Sequence, residues 1–531
     1  MRHLSRGRSR LWLIIFHRFR WISRQLETLH GDGSILRRIR NAPQELGTAL
    51  DEHLDKISEE KRQDAILLFK CLIAAFRPLR LRDVAEIFAT QPNRYPARYE
   101  MNLLSECGAF IVFNESERKD PKVVQFSSPF VKEFLTSEHL QTSDYGSISR
   151  YHITPRDAHT ALSRVCITVL LRLDENVDKI TLRSLPLAFY AGSYWLDHTR
   201  SGNVSQNLDI MKQLFDPEKS HLEKWLWMQD IEKGRRRTMD DLGPRPSPPS
   251  ATAVYYAALC GFSELVSHLA KVRPKDLLDT AKRGHHGTPL HAASYKGHLD
   301  VALALLEGGA DVNEPVGDRS PLHAAYYGGQ LEAMKALLQH GASVNARDAL
   351  NHTLLHRASR DGQLPALAIL LSNRADINAR NRNGWTPLHW AALRGHVKVT
   401  ERLLAERAAV NSQSLNNNTP LYIASVIGNL EVVKVLLQSG ADPSIQGEHD
   451  WTSLEAAQEN GRDTIAQLLS SSGGGILVMP LGRGIPTEVR QMRRRALLVG
   501  ITYSSTHSNM WPQLYGPYDD VDNYRELLVS E

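Results

Sequence analysis

The chain has 531 residues, 42% hydrophobic and 23% charged, with a formal net charge of +5. This describes a folded chain of three or four domains rather than a disordered one, and the charge is too small over this length to argue for nucleic acid. The four cysteines, Cys71, Cys107, Cys166 and Cys260, are far apart and form no C-x-x-C, which fits a reduced intracellular compartment better than a disulfide scaffold or a zinc site.

Residues 1–18 form a basic N-terminal segment with Arg2, Arg6, Arg8 and Arg10 and no acid before Glu27. Its apolar run Leu11–Phe16 is too short to span a bilayer, as is every other apolar run in the chain. The composition also fits a mitochondrial transit peptide, but an amphipathic first helix or irregular start is the reading adopted. From about Phe19 to Gln141 the pattern is mostly helical with a small sheet. Leu36–Ile57 and Asp64–Phe76 have helical spacing, and Pro78–Asp83 opens a further helix. Ala109–Phe113 and Val123–Phe126 predict two short strands around the charged loop Asn114–Lys122. Three helices followed by a β-ribbon is a winged-helix order, assigned to residues 19–145. DNA contact through Arg80–Thr90 is disfavoured because Asp83 and Glu86 interrupt what would need to be a basic face.

Residues 146–232 read as a helical spacer with apolar stripes at Cys166–Leu173 and Leu208–Phe215. Residues 233–251 read as a linker, with the triplet Arg235–Arg237 and Pro244, Pro246, Pro248 and Pro249. The Arg run is taken as solvated charge in preference to a nuclear signal.

From 252 to 470 the chain repeats. Thr-Pro-Leu-His-Ala-Ala opens at Thr288, followed by Ser320-Pro-Leu-His, Thr353-Leu-Leu-His, Thr386-Pro-Leu-His, Thr419-Pro-Leu-Tyr and Thr452-Ser-Leu-Glu, at spacings of 32, 33, 33, 33 and 33. A degenerate copy opens at Thr252, giving about seven repeats. This period and motif are the ankyrin signature. Thr caps the first helix and Pro occupies its first turn, where a missing N–H costs nothing. Second helices such as the one carrying Val301, Leu305 and Leu306 end at Gly309, Gly341 and Gly440, but at Arg374 and Arg407 in two middle repeats. The motif histidines His291, His323, His356 and His389 lie one repeat apart, too far to share an ion, and are read as side chains bonding backbone between repeats. His285-His286 is discounted as a metal site. The fold class is mainly α: an ankyrin solenoid preceded by a winged-helix-like domain and a helical spacer. Its binding surface is expected on the concave face, at Tyr295, Tyr326, Tyr327, Arg357, Arg360, Trp390 and Arg394, with finger tips Arg319, His352, Trp385 and Asn418. Aromatics and Arg are favoured at protein-binding hot spots.

Residues 471–492 read as a second linker. Arg493–Tyr503 predicts a basic-flanked buried strand, and Tyr518–Leu528 a helix.

Several stretches resemble known families. Phe19–Leu29, Leu46–Glu52, Arg77-Pro78-Leu79 and Phe126–Leu135 resemble the segments following the NTPase core of fungal NLR-like (STAND, NACHT-type) receptors, with Phe126 and Phe130 as departures. Tyr151–Ile153 and Leu187–Ala191 extend the likeness into the spacer. The resemblance implies an ancestral role in sensing or signalling. The family's G-x-x-x-x-G-K-[ST] phosphate loop is absent, and Gly473–Gly475 and Gly482–Gly484 lack its Lys, so no nucleotide and no other cofactor is expected. Residues 493–531 resemble the opening strand and helix of a fungal metacaspase-like (caspase-fold) domain. No cysteine follows Cys260, and His507 is the only histidine beyond His449, so the Cys–His dyad of that chemistry is missing. The reading is therefore a non-enzymatic cytoplasmic scaffold with a protein partner in its ankyrin groove, and no nucleic acid, membrane or small-molecule substrate. The alternative is a caspase-like protease whose array recruits substrate.

Overall fold

The computed structural model describes residues 50–91, 99–114, 123–138, 140, 149–278 and 284–472. The basic N-terminus, most of the predicted helix Leu36–Ile57 and the strand–helix of 493–531 lie outside them. The chain is mainly helical and divides into two compact units, one up to Ser343 and one from Val344.

After a helical segment at 50–55, the first unit has α1 (Glu59–Ala74), β1 (Leu79–Arg80), α2 (Leu81–Ala89), α3 (Tyr99–Glu106), β2 (Ile111–Asn114), β3 (Val123–Phe126) and α4 (Pro129–Leu135). The strands form an antiparallel sheet in the order β1-β3-β2, with Leu79 opposite Val124 and Ile111 opposite Phe126. Its apolar residues close on α1, where the Phe69 ring lies 5.4 Å from Phe110 and 6.3 Å from Phe126. The acids expected to spoil a DNA-reading face are used internally. Asp83 is buried, bonds Arg77 at 2.6 Å and caps α2 by accepting from the Arg80 N–H. Glu86 accepts the Leu187 N–H at 2.7 Å, tying α2 to the spacer.

The spacer contains α5 (Pro155–Leu171), α6 (Lys179–Ser184), α7 (Ala188–Ser201), α8 (Leu208–Leu214) and α9 (His221–Met228). Thr154 caps α5 through the Asp157 N–H, with Pro155 in the first turn. Helix α5 packs on α7 and α1. The spacer core is aromatic: Trp195 meets Trp225 edge-on at 4.9 Å, and the Trp225 indole donates to the Gly192 carbonyl at 3.1 Å. Gly192 also lets Met228 of α9 approach closely, since a Cβ there would sit 2.8 Å from the Met228 sulfur.

The segment expected as a solvated linker folds back on the spacer. Arg235–Arg236 (β5) pairs with Gln229–Asp230 (β4). The Arg236 guanidinium bonds Asp197 at 2.8 Å and lies 4.4 Å from the Tyr194 ring centroid, while Arg237 donates to the Trp227 carbonyl. Arg235 and Arg236 are exposed, as a charge run predicts, and carboxylate, ring and carbonyl partners also lie within reach.

Seven helix pairs follow among the described residues. Three are in the first unit: α10 (Ala253–Cys260) with α11 (Ser263–Val272), then, after the short α12 (Pro274–Leu278), α13 (Pro289–Lys296) with α14 (Leu299–Glu307), and α15 (Pro321–Tyr327) with α16 (Leu331–Gln339). Four are in the second: α17 (Leu354–Arg360) with α18 (Leu364–Ser372), α19 (Pro387–Arg394) with α20 (Val397–Ala405), α21 (Pro420–Ile427) with α22 (Leu430–Gln438), and α23 (Ser453–Glu459) with α24 (Asp463–Ser472). First helices pack on first helices and second on second within each unit, as expected of stacked repeats. An asparagine ladder adds a hydrogen bond per step. The carboxamide oxygens of Asn313, Asn345, Asn378 and Asn411 accept the N–H of Ser343, Asp376, Ala409 and Asp442 at 2.7, 2.8, 2.8 and 2.9 Å.

Candidate protein-binding site

Each repeat presents a finger followed by its first helix. The motif histidine locks the two together. In the second unit the His356 Nδ1 accepts the Thr353 N–H at 3.1 Å, which puts the proton on Nε2, and Nε2 donates to the Trp385 carbonyl of the next finger at 3.0 Å. His389 repeats this with Thr386 at 3.0 Å and the Asn418 carbonyl at 3.0 Å. In the first unit His291 reaches the Arg319 carbonyl at 3.1 Å. Burial pushes the His356 and His389 imidazoles down to about 4, against the raising effect of those carbonyls. Both are therefore neutral structural groups at pH 7.

A second device joins fingers in the second unit. Asp348 is buried and accepts the N–H of Leu350 and His352 at 2.9 and 2.8 Å, the His352 ring at 3.3 Å and the Arg357 guanidinium at 2.5 Å. Burial alone would raise this carboxyl; the His352 hydrogen bond and the Arg357 charge instead hold it well below the usual carboxylate range. The far nitrogen of His352 accepts from the Asn381 carboxamide at 2.9 Å, and Asn381 accepts the N–H of Asn383 and Trp385. Asp348, Asn381 and Ser414 each lie five residues before the motif Thr. The same period that located the repeats could have located this row, which sequence reasoning missed.

The expected groove residues divide. In the first unit Tyr295 and Tyr327 are half-buried: Tyr295 stacks on His286 at 4.4 Å, and the Arg319 guanidinium covers Tyr327 at 4.7 Å. In the second unit Arg357, Arg360 and Arg394 are half-buried. Arg357 is engaged with Asp348, and Arg360 bonds Asp361 at 2.9 Å. Tyr326, Trp385 and Trp390 are buried, which corrects the expectation that they project into open solvent. The two Trp rings, 5.1 Å apart, pack in a cluster with Tyr422, Ile423 and Val426 of the following repeat, while Leu393, Ile427 and Trp451 form its half-exposed margin. Among the described residues no group of acids, histidines and cysteines could hold a metal ion, and no helix is long and apolar enough to cross a membrane. Cys260 is buried and its thiol is pushed up to about 12 by burial, as suits a packing residue rather than a nucleophile. His507 lies outside the described residues.

Comparison with known proteins agrees with this architecture. The family model for ankyrin repeats matches three overlapping stretches, residues 204–316, 315–381 and 355–447. The chain carries ankyrin repeats. The first stretch begins within the spacer, so the resemblance reaches back to α8 and α9. A curated protein from Monascus ruber, named azaphilone pigments biosynthesis cluster protein L, is 27% identical over 294 residues, covering 52% of this chain and 61% of that protein. The chain thus spans about three fifths of the relative it matches.

Proposed function

We propose that this chain is a non-enzymatic, cytoplasmic interaction scaffold that holds a protein partner against the finger side of its ankyrin repeats. The observation that carries this reading is the division of labour in each repeat. Thr, His and the Asp348–His352–Asn381 row fix the fingers and first helices. That leaves the variable positions between them, such as Arg382 and Leu393, to carry specificity on a rigid surface. Preorganised side chains lose less freedom on binding, which favours recognition over chemistry. The N-terminal module is read as a winged helix of the NLR-like type, supported by its order α1-β1-α2-α3-β2-β3 and by β3 lying between β1 and β2. With Asp83 and Glu86 engaged inside the unit, it serves as a structural or signalling module rather than a DNA reader, and no nucleotide is bound. Similarity to a protein named for a biosynthesis cluster adds no substrate to this reading.

The test is site-specific photo-crosslinking in the full chain. A photoreactive residue at Arg382, on a finger, should capture a protein, whereas one at the exposed Glu401, on second helix α20, should not. Equal capture from both positions, or none from Arg382, refutes the groove.

A further inference from the structure

Resting on the groove reading above, we propose that the finger side of the second unit takes an extended, acidic protein segment, its carboxylates over the fourth and fifth repeats and an apolar side chain over the sixth. Three observations converge.

The first is charge. Residues 344–396 contain seven arginines and three aspartates and no other Asp, Glu, Lys or Arg, a net +4; residues 397–472 hold five cationic and nine acidic side chains, a net −4. Three of these arginines, Arg347, Arg380 and Arg382, lie in the fingers. Arg347 donates to the Asn351 and Arg380 carbonyls, and Arg380 to the Gln413 carbonyl at 2.6 Å. Those partners are neutral, so the positive charge stands. Arg382 is exposed on the same finger as Arg380. Planar guanidinium groups at fixed positions match carboxylates in geometry as well as sign.

The second is polarity along the surface. Residues 408–430, which make the sixth finger and first helix, carry no charged side chain. Ile427, one of the three residues at the half-exposed margin of the tryptophan cluster, lies there, with Leu393 in the fifth repeat and Trp451 in the seventh. Acidic residues return at Glu448, Asp450 and Glu455. A carboxylate-rich segment is therefore drawn to one end of the face and repelled from the other, which fixes its direction.

The third is an unmet donor. Trp390 is 8% exposed, lies 5.1 Å from Trp385 and 5.6 Å from His352, and its indole N–H has no acceptor among the described residues. A buried donor left unpaired is costly, and an acceptor on a bound segment would satisfy it. Cation, apolar margin and donor thus fall on adjacent repeats in the order a segment with acidic residues followed by an apolar one would use.

The experiment uses the full chain and a fluorescein-labelled peptide of about 12 residues carrying an Asp-rich half and a Leu-containing half, with an Asn-for-Asp version and a single-stranded oligonucleotide as comparators. The expected result is binding of the acidic peptide that weakens about tenfold on raising salt to roughly 0.3 M and about tenfold in Arg382→Glu. Trp390→Phe, which removes the donor along with part of the ring packing, should weaken it several-fold when binding is read well below the lowered melting temperature of the variant. Arg382→Ala, an exposed truncation, guards against misfolding of the charge reversal and should cost less. Equal binding of the Asn version, no binding of the acidic peptide, or equal competition by the oligonucleotide overturns the proposal. Capture of a protein from a photoreactive residue at Arg382 that the acidic peptide fails to displace would sink this inference while leaving the groove standing; no capture at all would remove both.

Discussion

Two repeats should be strained at one residue each, and the strain can be removed. After the second helix the chain needs a left-handed residue. Gly309, Gly341 and Gly440 supply it at φ of 91, 88 and 86°, but Arg374 and Arg407 stand there at 62 and 67°. The turn is the same in both kinds of repeat. Arg407 donates to the Leu404 carbonyl and Ala408 to Leu403, as Gly440 does to Leu437 and Ala441 to Leu436. The cost therefore lies in the backbone conformation of a residue with a Cβ, about 1 kcal/mol or slightly more. Arg374→Gly and Arg407→Gly relieve it but give the unfolded chain more freedom, worth about 0.4–1 kcal/mol. Each should gain a few tenths to about 1 kcal/mol. The three native glycines allow a reciprocal control. A Cβ built on Gly440 meets nothing within 4 Å, so Gly440→Arg installs strain without a clash and should lose stability by a similar amount. Urea midpoints at constant slope read both signs. Midpoints that fall in both Gly variants, or a neutral Gly440→Arg, would refute the reasoning.

The asparagine ladder predicts that Asn378→Ala, which leaves the Ala409 N–H without its partner, lowers stability by about 1 kcal/mol, whereas Asn378→Asp, which keeps the acceptor, loses less; equal losses in urea titrations would argue against it. Because His356 and His389 titrate near 4 when folded and near 6.5 when unfolded, their contribution is complete above about pH 6.5 and is lost as pH falls toward 4. Each should cost about 2 kcal/mol between pH 7.5 and 5, and His389→Gln should flatten that slope; a flat wild-type profile contradicts the neutral assignment. Full-length chain should not cleave peptides with acidic or basic P1 residues in the presence of calcium, and turnover abolished by Cys260→Ala or His507→Ala would restore the protease reading.

The repeats were legible because their physics is local and periodic. Thr386-Pro387-Leu388-His389 states a cap, a first turn, a core residue and a tie to the next finger, and each does that work. Arg374 and Arg407 were identifiable as left-handed by alignment with glycines alone. The fate of Trp385 and Trp390 was not legible, because position within a repeat does not say how bulky the neighbouring repeat is. Tyr422 and Ile423 cover them, where a smaller pair would have left them open. The Arg235–Arg237 run is exposed at Arg235 and Arg236, as its composition suggests, but its partners Asp197 and Trp227 come from separate helices, and no local pattern pairs them.

The junction between spacer and array sets where the chain can be cut. A solenoid needs a polar outer face on its terminal repeat. Helix α10 has none: every residue from Ala253 to Cys260 is buried, including Tyr255 and Tyr256. The spacer takes the place of that cap. Trp195 packs 5.9 Å from Phe262, Arg200 donates to the Cys260 carbonyl at 3.1 Å, and Ser205 bonds Glu264 at 2.6 Å. A fragment beginning at Thr252 would expose this apolar face and lose those bonds together. It should aggregate or melt its first repeat, whereas the chain from Leu50, which keeps the spacer together with the α1 and α2 surfaces that cover α5 and Leu187, should remain monomeric with α10 protected. Hydrogen exchange at Tyr256 and Ala257 distinguishes the two. Equal protection in both fragments would mean that the first repeat closes its own end and that the spacer is a passenger rather than a cap.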